Sequence, residues 1–169
     1  MKLTWFGGTT LRIYIGGSIL VSDPAGISGV ATEELVGGAD ATFEVAAPGP
    51  VVDLKGWQPR RAGSVLEDSP LELPRTFLAE GGVVVVDAMG EPPLLLVTGD
   101  VPAAGRWGRD AVVVAFGQRA AEAALAALGP RLIAVAGDDA DVERTFAALR
   151  DRLDGTALVA LEKALALEV

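Results

Sequence analysis

The chain has 169 residues, 50% of them hydrophobic, and a formal net charge of −9. That length suits one domain with a sizeable core, and the apolar content excludes a disordered chain. There is no cysteine and no histidine, which excludes disulfides, thiolate metal sites and cysteine nucleophiles and removes the commonest general base and transition-metal ligand.

In chain order, Lys2–Phe6 alternates like a strand and ends at Gly7-Gly8. Thr9–Ile15 follows with β-branched and aromatic residues suited to a pleated surface. Gly16-Gly17 is a hairpin signal, and Ser18–Ser22 predicts a third strand that Asp23-Pro24 closes. Ala31–Val36 predicts a helical turn capped by Thr32 or a neighbour. Ala41–Ala46 reads as a strand, Pro48-Gly49-Pro50 breaks it, and Val51–Leu54 resumes it. Gly56–Pro74 is irregular, with short strands expected at Ser64–Leu66 and Leu71–Leu73. Thr76–Glu80 and Val83–Asp87 form a pair across Gly81-Gly82, and Val83–Asp87 pairs again with Leu94–Thr98.

Beyond Asp100 the pattern changes. Ala111–Phe116 and Leu132–Ala136 are continuous apolar runs, as in strands buried on both faces. Gln118–Leu128 predicts a helix stopped by Gly129-Pro130. A second helix is expected over Ala140–Leu153, because Val142, Phe146, Leu149 and Leu153 fall on one face. Thr156–Leu161 and Ala164–Val169 complete the strands. Many strands followed by strand–helix–strand–helix–strand predict two sheets packed face to face with helical outer layers.

The acidic balance argues against non-specific nucleic-acid binding. Trp57, Arg60 and Arg61 form the best local basic cluster. Trp5, Trp57 and Trp107 read as core or rim residues. The apolar runs are too short to cross a bilayer, and the chain opens in a strand pattern rather than a secretory leader, so the expected location is the cytoplasm.

Met1–Pro24 resembles the opening of metallo-β-lactamase-fold hydrolases, in particular the small bacterial branch resembling L-ascorbate-6-phosphate lactonase. Those proteins begin with a strand ending in Gly-His, then a strand pair, then a strand ending in Asp-Pro. The counterparts are Trp5-Phe6-Gly7-Gly8, Leu11–Ile15 and Ile19–Pro24. The family's main metal motif, His-x-His-x-Asp-His, falls after Ala39–Val45. Ala47, Gly49, Val51 and Val52 occupy its positions. Leu94–Asp100 resembles the strand whose final aspartate usually bridges two metals, and Asp100 matches that residue. Ala136 stands at a late histidine position.

The resemblance implies an α+β fold, a four-layer αββα sandwich spanning 1–169 as one metallo-β-lactamase-like domain. It also implies a metal centre whose ligands have been replaced. Zinc would need about three protein ligands plus an open position. With no imidazole or thiolate, only carboxylates remain, which suit magnesium, calcium or manganese.

The candidate ligand-binding residues are Gly8, Asp23, Asp100 and Asp138. Gly8 leaves space or forms a turn, Asp23 holds the turn before Pro24, and Asp100 is a surviving ligand, a base or a loop aspartate. Asp138, with Asp139 and Asp141, binds a hard cation or caps a helix. No catalytic residue, metal site or cofactor is assigned. The expected function is a non-catalytic small-ligand-binding, protein-binding or structural protein, not a nucleic-acid or membrane binder. The alternative is a hydrolase with a carboxylate-bound magnesium or manganese ion near Asp100. Apolar runs such as Ala111–Phe116 leave room for a homo-oligomer if the core does not consume them.

Overall fold

The computed structural model describes residues 1–61 and 72–169. The strand expected at Ser64–Leu66 lies outside the described residues, as does Leu71 of the one expected at Leu71–Leu73, whose Glu72 and Leu73 are in no strand.

The opening stretch folds into three antiparallel strands: β1 (Lys2–Gly7), β2 (Thr10–Ile15) and β3 (Ser18–Ser22). Alternation decides their inner face. Leu3, Leu11, Ile13, Ile15 and Leu20 point into the interior, while Lys2 and Tyr14 face outward. A register shift between Trp5 and Gly7 bends the end of β1 and sets up the Gly7-Gly8 turn. A short helix α1 (Thr32–Val36) follows. Its cap position is Ala31, which makes no side-chain cap bond, so the expected Thr32 cap is replaced by an uncapped first turn. β4 (Ala41–Phe43) adds parallel to β3, and the late strand β11 (Ala166–Glu168) adds antiparallel to β1. The first sheet thus has five strands, in the order β11-β1-β2-β3-β4.

The second sheet has six strands. β5 (Arg75–Ala79), β6 (Val83–Asp87) and β7 (Leu94–Val97) form an antiparallel meander. β8 (Val112–Phe116), β9 (Leu132–Ala136) and β10 (Ala157–Ala160) continue parallel to β7. Parallel neighbours need crossovers, and two of these are helices. α2 (Gln118–Leu128) joins β8 to β9, and α3 (Asp139–Leu149) joins β9 to β10. α2 ends as its sequence dictates, on Gly129 in the left-handed conformation with its amide on the Leu125 carbonyl. α3 stops one turn short of Leu153.

The central strands β6 to β9 are buried on both faces, and their residues divide by parity. Val84, Val86, Leu94, Leu96, Val112, Val114 and Ala134 meet the first sheet's inner face. Val83, Val85, Leu95, Val97, Val113, Ile133 and Val135 meet Ala120, Ala121, Ala124, Leu128 and Leu149 of the helices. Burying each of these branched side chains contributes about 1.5–3 kcal/mol. The alanines of α2 let it lie close against the strands. Ala111–Ala115 of the apolar run are buried in this core, and Phe116 is half-buried against it.

The layers are therefore sheet, sheet, helices. Among the described residues, the helix on the outer face of the first sheet is α1, of five residues, held by Arg12 through the carbonyls of Leu35 at 2.6 Å and Gly37 at 2.8 Å. Among the described residues the expected fourth layer is represented by that element, because Pro24, Gly26, Gly29 and the Gly37-Gly38 pair interrupt the rest of the stretch between β3 and β4.

Where the helices do not reach, tryptophans cover the second sheet. A 3₁₀ segment, Arg106–Asp110, buries Trp107, whose indole N–H donates to the Leu54 carbonyl at 3.2 Å. Trp57 packs edge-on against Trp107, with ring centroids 4.7 Å apart. The Val51–Leu54 strand is reduced to a single bridge from Val51 to Leu78. Arg60 does not belong to a free basic cluster: its Nε donates to the buried carboxylate of Asp87 at 2.7 Å and its Nη1 to Glu72 at 2.7 Å.

Candidate functional site

The carboxyl ends of β7 to β10 share an edge with the ends of β1, β3 and β4. Three adjoining cavities run along this edge. One of about 630 Å³ lies between Thr9, Asp23, Gly26, Phe43, Glu44 and Ala47. A second, of about 560 Å³, continues from Asp23 past Val45 to Glu80 and Thr98. The third, of about 660 Å³, lies between Trp5, Asp138, Asp139 and Lys163.

Asp23 is the residue most tightly built into this edge. It sits at φ +41°, a left-handed conformation that aspartate tolerates better than most residues. Its Oδ1 accepts the Val45 amide at 2.9 Å, and its Oδ2 accepts the Thr9 hydroxyl. Its carbonyl accepts the Thr10 hydroxyl at 2.7 Å, and its amide donates to the Phe43 carbonyl at 2.9 Å. One residue thus joins the β1–β2 turn, the end of β3 and the end of β4. Both carboxylate oxygens are spent on the scaffold while the residue still lines two cavities.

Asp138 caps α3: its Oδ1 accepts the Asp141 amide at 2.8 Å. A carboxylate there also favours the positive end of the helix. Asp100 turns to the first turn of α2, where Arg119 Nη2 bonds both of its oxygens, at 3.0 and 2.8 Å. This pair is open to water, with Asp100 71% exposed. The fold uses the main chain of Asp100 more than its side chain. Gly81, at φ +81°, passes so near that a Cβ there would stand 2.0 Å from the Asp100 carbonyl oxygen.

Gly8 is at φ +52° with open space where a side chain would project, and its carbonyl accepts the Trp5 indole N–H at 2.9 Å. Gly49 is the opposite case: a Cβ there would lie 2.3 Å from the Thr76 carbonyl oxygen, so no side chain fits. The segment around it runs along β5, with Val52 donating its amide to the Leu78 carbonyl at 2.8 Å. Val51 is 76% exposed and Val52 packs against the helical core, while Ala46 and Ala47 border the cavities. The four positions that matched the metal motif therefore do not converge. Ala136 is buried between the sheets.

A zinc centre does not fit these residues. The chain has no histidine or cysteine, and among the described residues no three carboxylates come together in a metal-binding group. The expected acidic site of Asp100, Asp138 and Asp139 is not assembled, since these carboxylates do not come together in a metal-binding group. Sequence reasoning missed Thr9, Val45 and Lys163 as parts of this edge. Thr9 follows a glycine pair and faces Asp23 only through the β1–β2 turn, and Lys163 reaches the edge through its bridge to Trp5.

No family model matches the chain, and no curated protein matches it. Among solved structures it is similar to a candidate zinc-dependent hydrolase of the metallo-β-lactamase superfamily from Thermotoga maritima, with 15% identity and a TM-score of 0.45 over 95% of this chain and 98% of that one. A likeness at that level assigns no chemistry to this chain. Among the described residues, no helix is long and apolar enough to cross a membrane.

Proposed function

We propose that the chain is a metallo-β-lactamase-like scaffold without a metal centre, which binds a small ligand or a protein partner along the edge containing Asp23. The observation that carries this reading is the engagement of the carboxylates. Each oxygen of Asp23 accepts one scaffold donor, from Thr9 or Val45, Asp138 caps α3 through Oδ1, and Asp100 is paired with Arg119. A hydrolytic metal site needs free, convergent ligands and an open position for water. This edge offers cavities walled by Phe43, Val45 and Trp5, with polar groups at their rims, which suits recognition better than bond cleavage.

The second reading is a hydrolase with magnesium or manganese held near Asp100. Its motive is the exposure of Asp100, since an ion could displace Arg119 from it. The test is hydrolysis of bis-p-nitrophenyl phosphate by the purified chain with added manganese. The binding reading predicts no turnover above the metal-only blank. Turnover that disappears in Asp100→Asn would establish the hydrolase instead.

A further inference from the structure

The arginines of the chain divide by partner. Arg60, Arg75, Arg119, Arg144 and Arg150 lie within ion-pair distance of a carboxylate. Arg12 is bound to main-chain carbonyls. Arg106, Arg109, Arg131 and Arg152 have no such carboxylate partner among the described residues. All four line one cavity of about 720 Å³.

Topology brings them together. Arg106 and Arg109 lie on the 3₁₀ segment before β8, Arg131 immediately precedes β9, and Arg152 follows α3 on the way to β10. These connections enter parallel strands at their amino ends, so they meet at the edge opposite the Asp23 cavities. The main chain fixes their spacing: the Arg131 amide donates to the Ala111 carbonyl at 3.1 Å, and the Ala157 amide to the Arg131 carbonyl at 2.9 Å.

Helix ends account for part of this charge. α2 and α3 both finish near this edge, and a carboxyl-terminal helix end carries about half a negative charge. Asp154 adds one carboxylate to the lining. Asp151 does not line the cavity, and Asp110 faces the neighbouring cavity beside Arg61. Four guanidinium groups exceed what the two helix ends and Asp154 offset. In a chain of net charge −9, this is a local concentration of the opposite sign, and a concave site of one sign focuses its field on a counter-ion. Guanidinium forks match phosphate oxygens in pairs. Leu125, Leu128 and Leu153 provide an apolar wall beside them.

We propose that this cavity binds a small phosphorylated ligand, with the arginines on its phosphate oxygens and its carbon skeleton against the leucines. The site is separate from the Asp23 edge and stands independently of the function proposed there.

Isothermal titration of the full chain with inorganic pyrophosphate tests it. The expected result is saturable binding that weakens with salt. It should weaken by about tenfold or more in Arg131→Gln/Arg152→Gln and again in Arg106→Gln/Arg109→Gln. Arg144→Gln, on the outer surface of α3, should leave it unchanged. All five side chains are exposed, and circular dichroism confirms that the variants fold. The proposal is overturned if pyrophosphate does not bind, if both double variants bind it as tightly as the parent, or if an oligothymidylate binds and pyrophosphate does not. The last outcome would assign the arginines to a nucleic-acid backbone.

Discussion

The carboxylate of Asp23 accepts the main-chain amide of Val45 at 2.9 Å, and so ties the end of β3 to the loop that leaves β4. The Thr9 hydroxyl holds the other oxygen. An aspartate that borders two cavities is thus also the fastening of the edge that forms them.

Asp23→Ala should therefore destabilise the protein by about 2–3 kcal/mol, since hydrogen bonds to a charged group are lost and the Val45 amide is left unpaired. Asp23→Asn should cost less. Its amide oxygen still accepts from Val45, and asparagine tolerates the positive φ. Urea denaturation measures both. Equal losses would contradict the assignment of the role to the Val45 and Thr9 bonds.

The glycines at positions 8 and 81 should respond differently to the same change. Gly81→Ala places a methyl group against the Asp100 carbonyl and should cost about 2–4 kcal/mol. Gly8→Ala meets open space and should cost about 1 kcal/mol, for backbone conformation alone. Thermal melts of the two variants compare them directly.

Asp100→Asn should change stability by less than about 0.5 kcal/mol, because the pair with Arg119 is exposed. Asp87 presents the contrary case. It closes β6, is 2% exposed at its side chain, and receives Arg60 through Nε. Asp87→Ala leaves the part-exposed Arg60 guanidinium on Glu72 and the residue-87 carbonyl and frees the Arg60 amide, so it should cost about 1–3 kcal/mol. The double replacement Arg60→Met/Asp87→Leu should recover part of that loss. A double-mutant cycle by denaturation gives the coupling between them.

Much of this was legible in the sequence where one local rule governs each element. Val83–Asp87, Gln118–Leu128 and Leu132–Ala136 were bounded to the residue, because turn glycines and apolar runs mark them unambiguously. α3 was expected to reach Leu153, since the apolar spacing continues that far. Leu153 does pack against the core, but from the turn after the helix, and periodicity alone does not separate these cases. The sequence reading assigns no element to the 3₁₀ segment, although a tryptophan between two glycines, with an N–H to satisfy, is the signal available.

The functional residues divide the same way. The capping role of Asp138 follows from its place three residues before Asp141 at a helix start. The double engagement of Asp23 does not, because Val45 is joined to it only by the parallel pairing of β3 and β4. The charged cavity is the clearest instance. Arg60 and Arg61 drew notice because they are adjacent, and Arg60 turns out to serve Asp87. The four arginines of the opposite edge come from three separate connections and become neighbours only through the parallel sheet.

Equilibrium dialysis of the purified chain against zinc, manganese and magnesium, with bound metal measured per chain and the thermal midpoint recorded in parallel, tests the central claim most directly. The arrangement of Asp23, Asp100 and Asp138 predicts substoichiometric binding of every ion and an unchanged midpoint. One ion bound per chain with a raised midpoint, both lost in Asp100→Asn or Asp138→Asn, would contradict it.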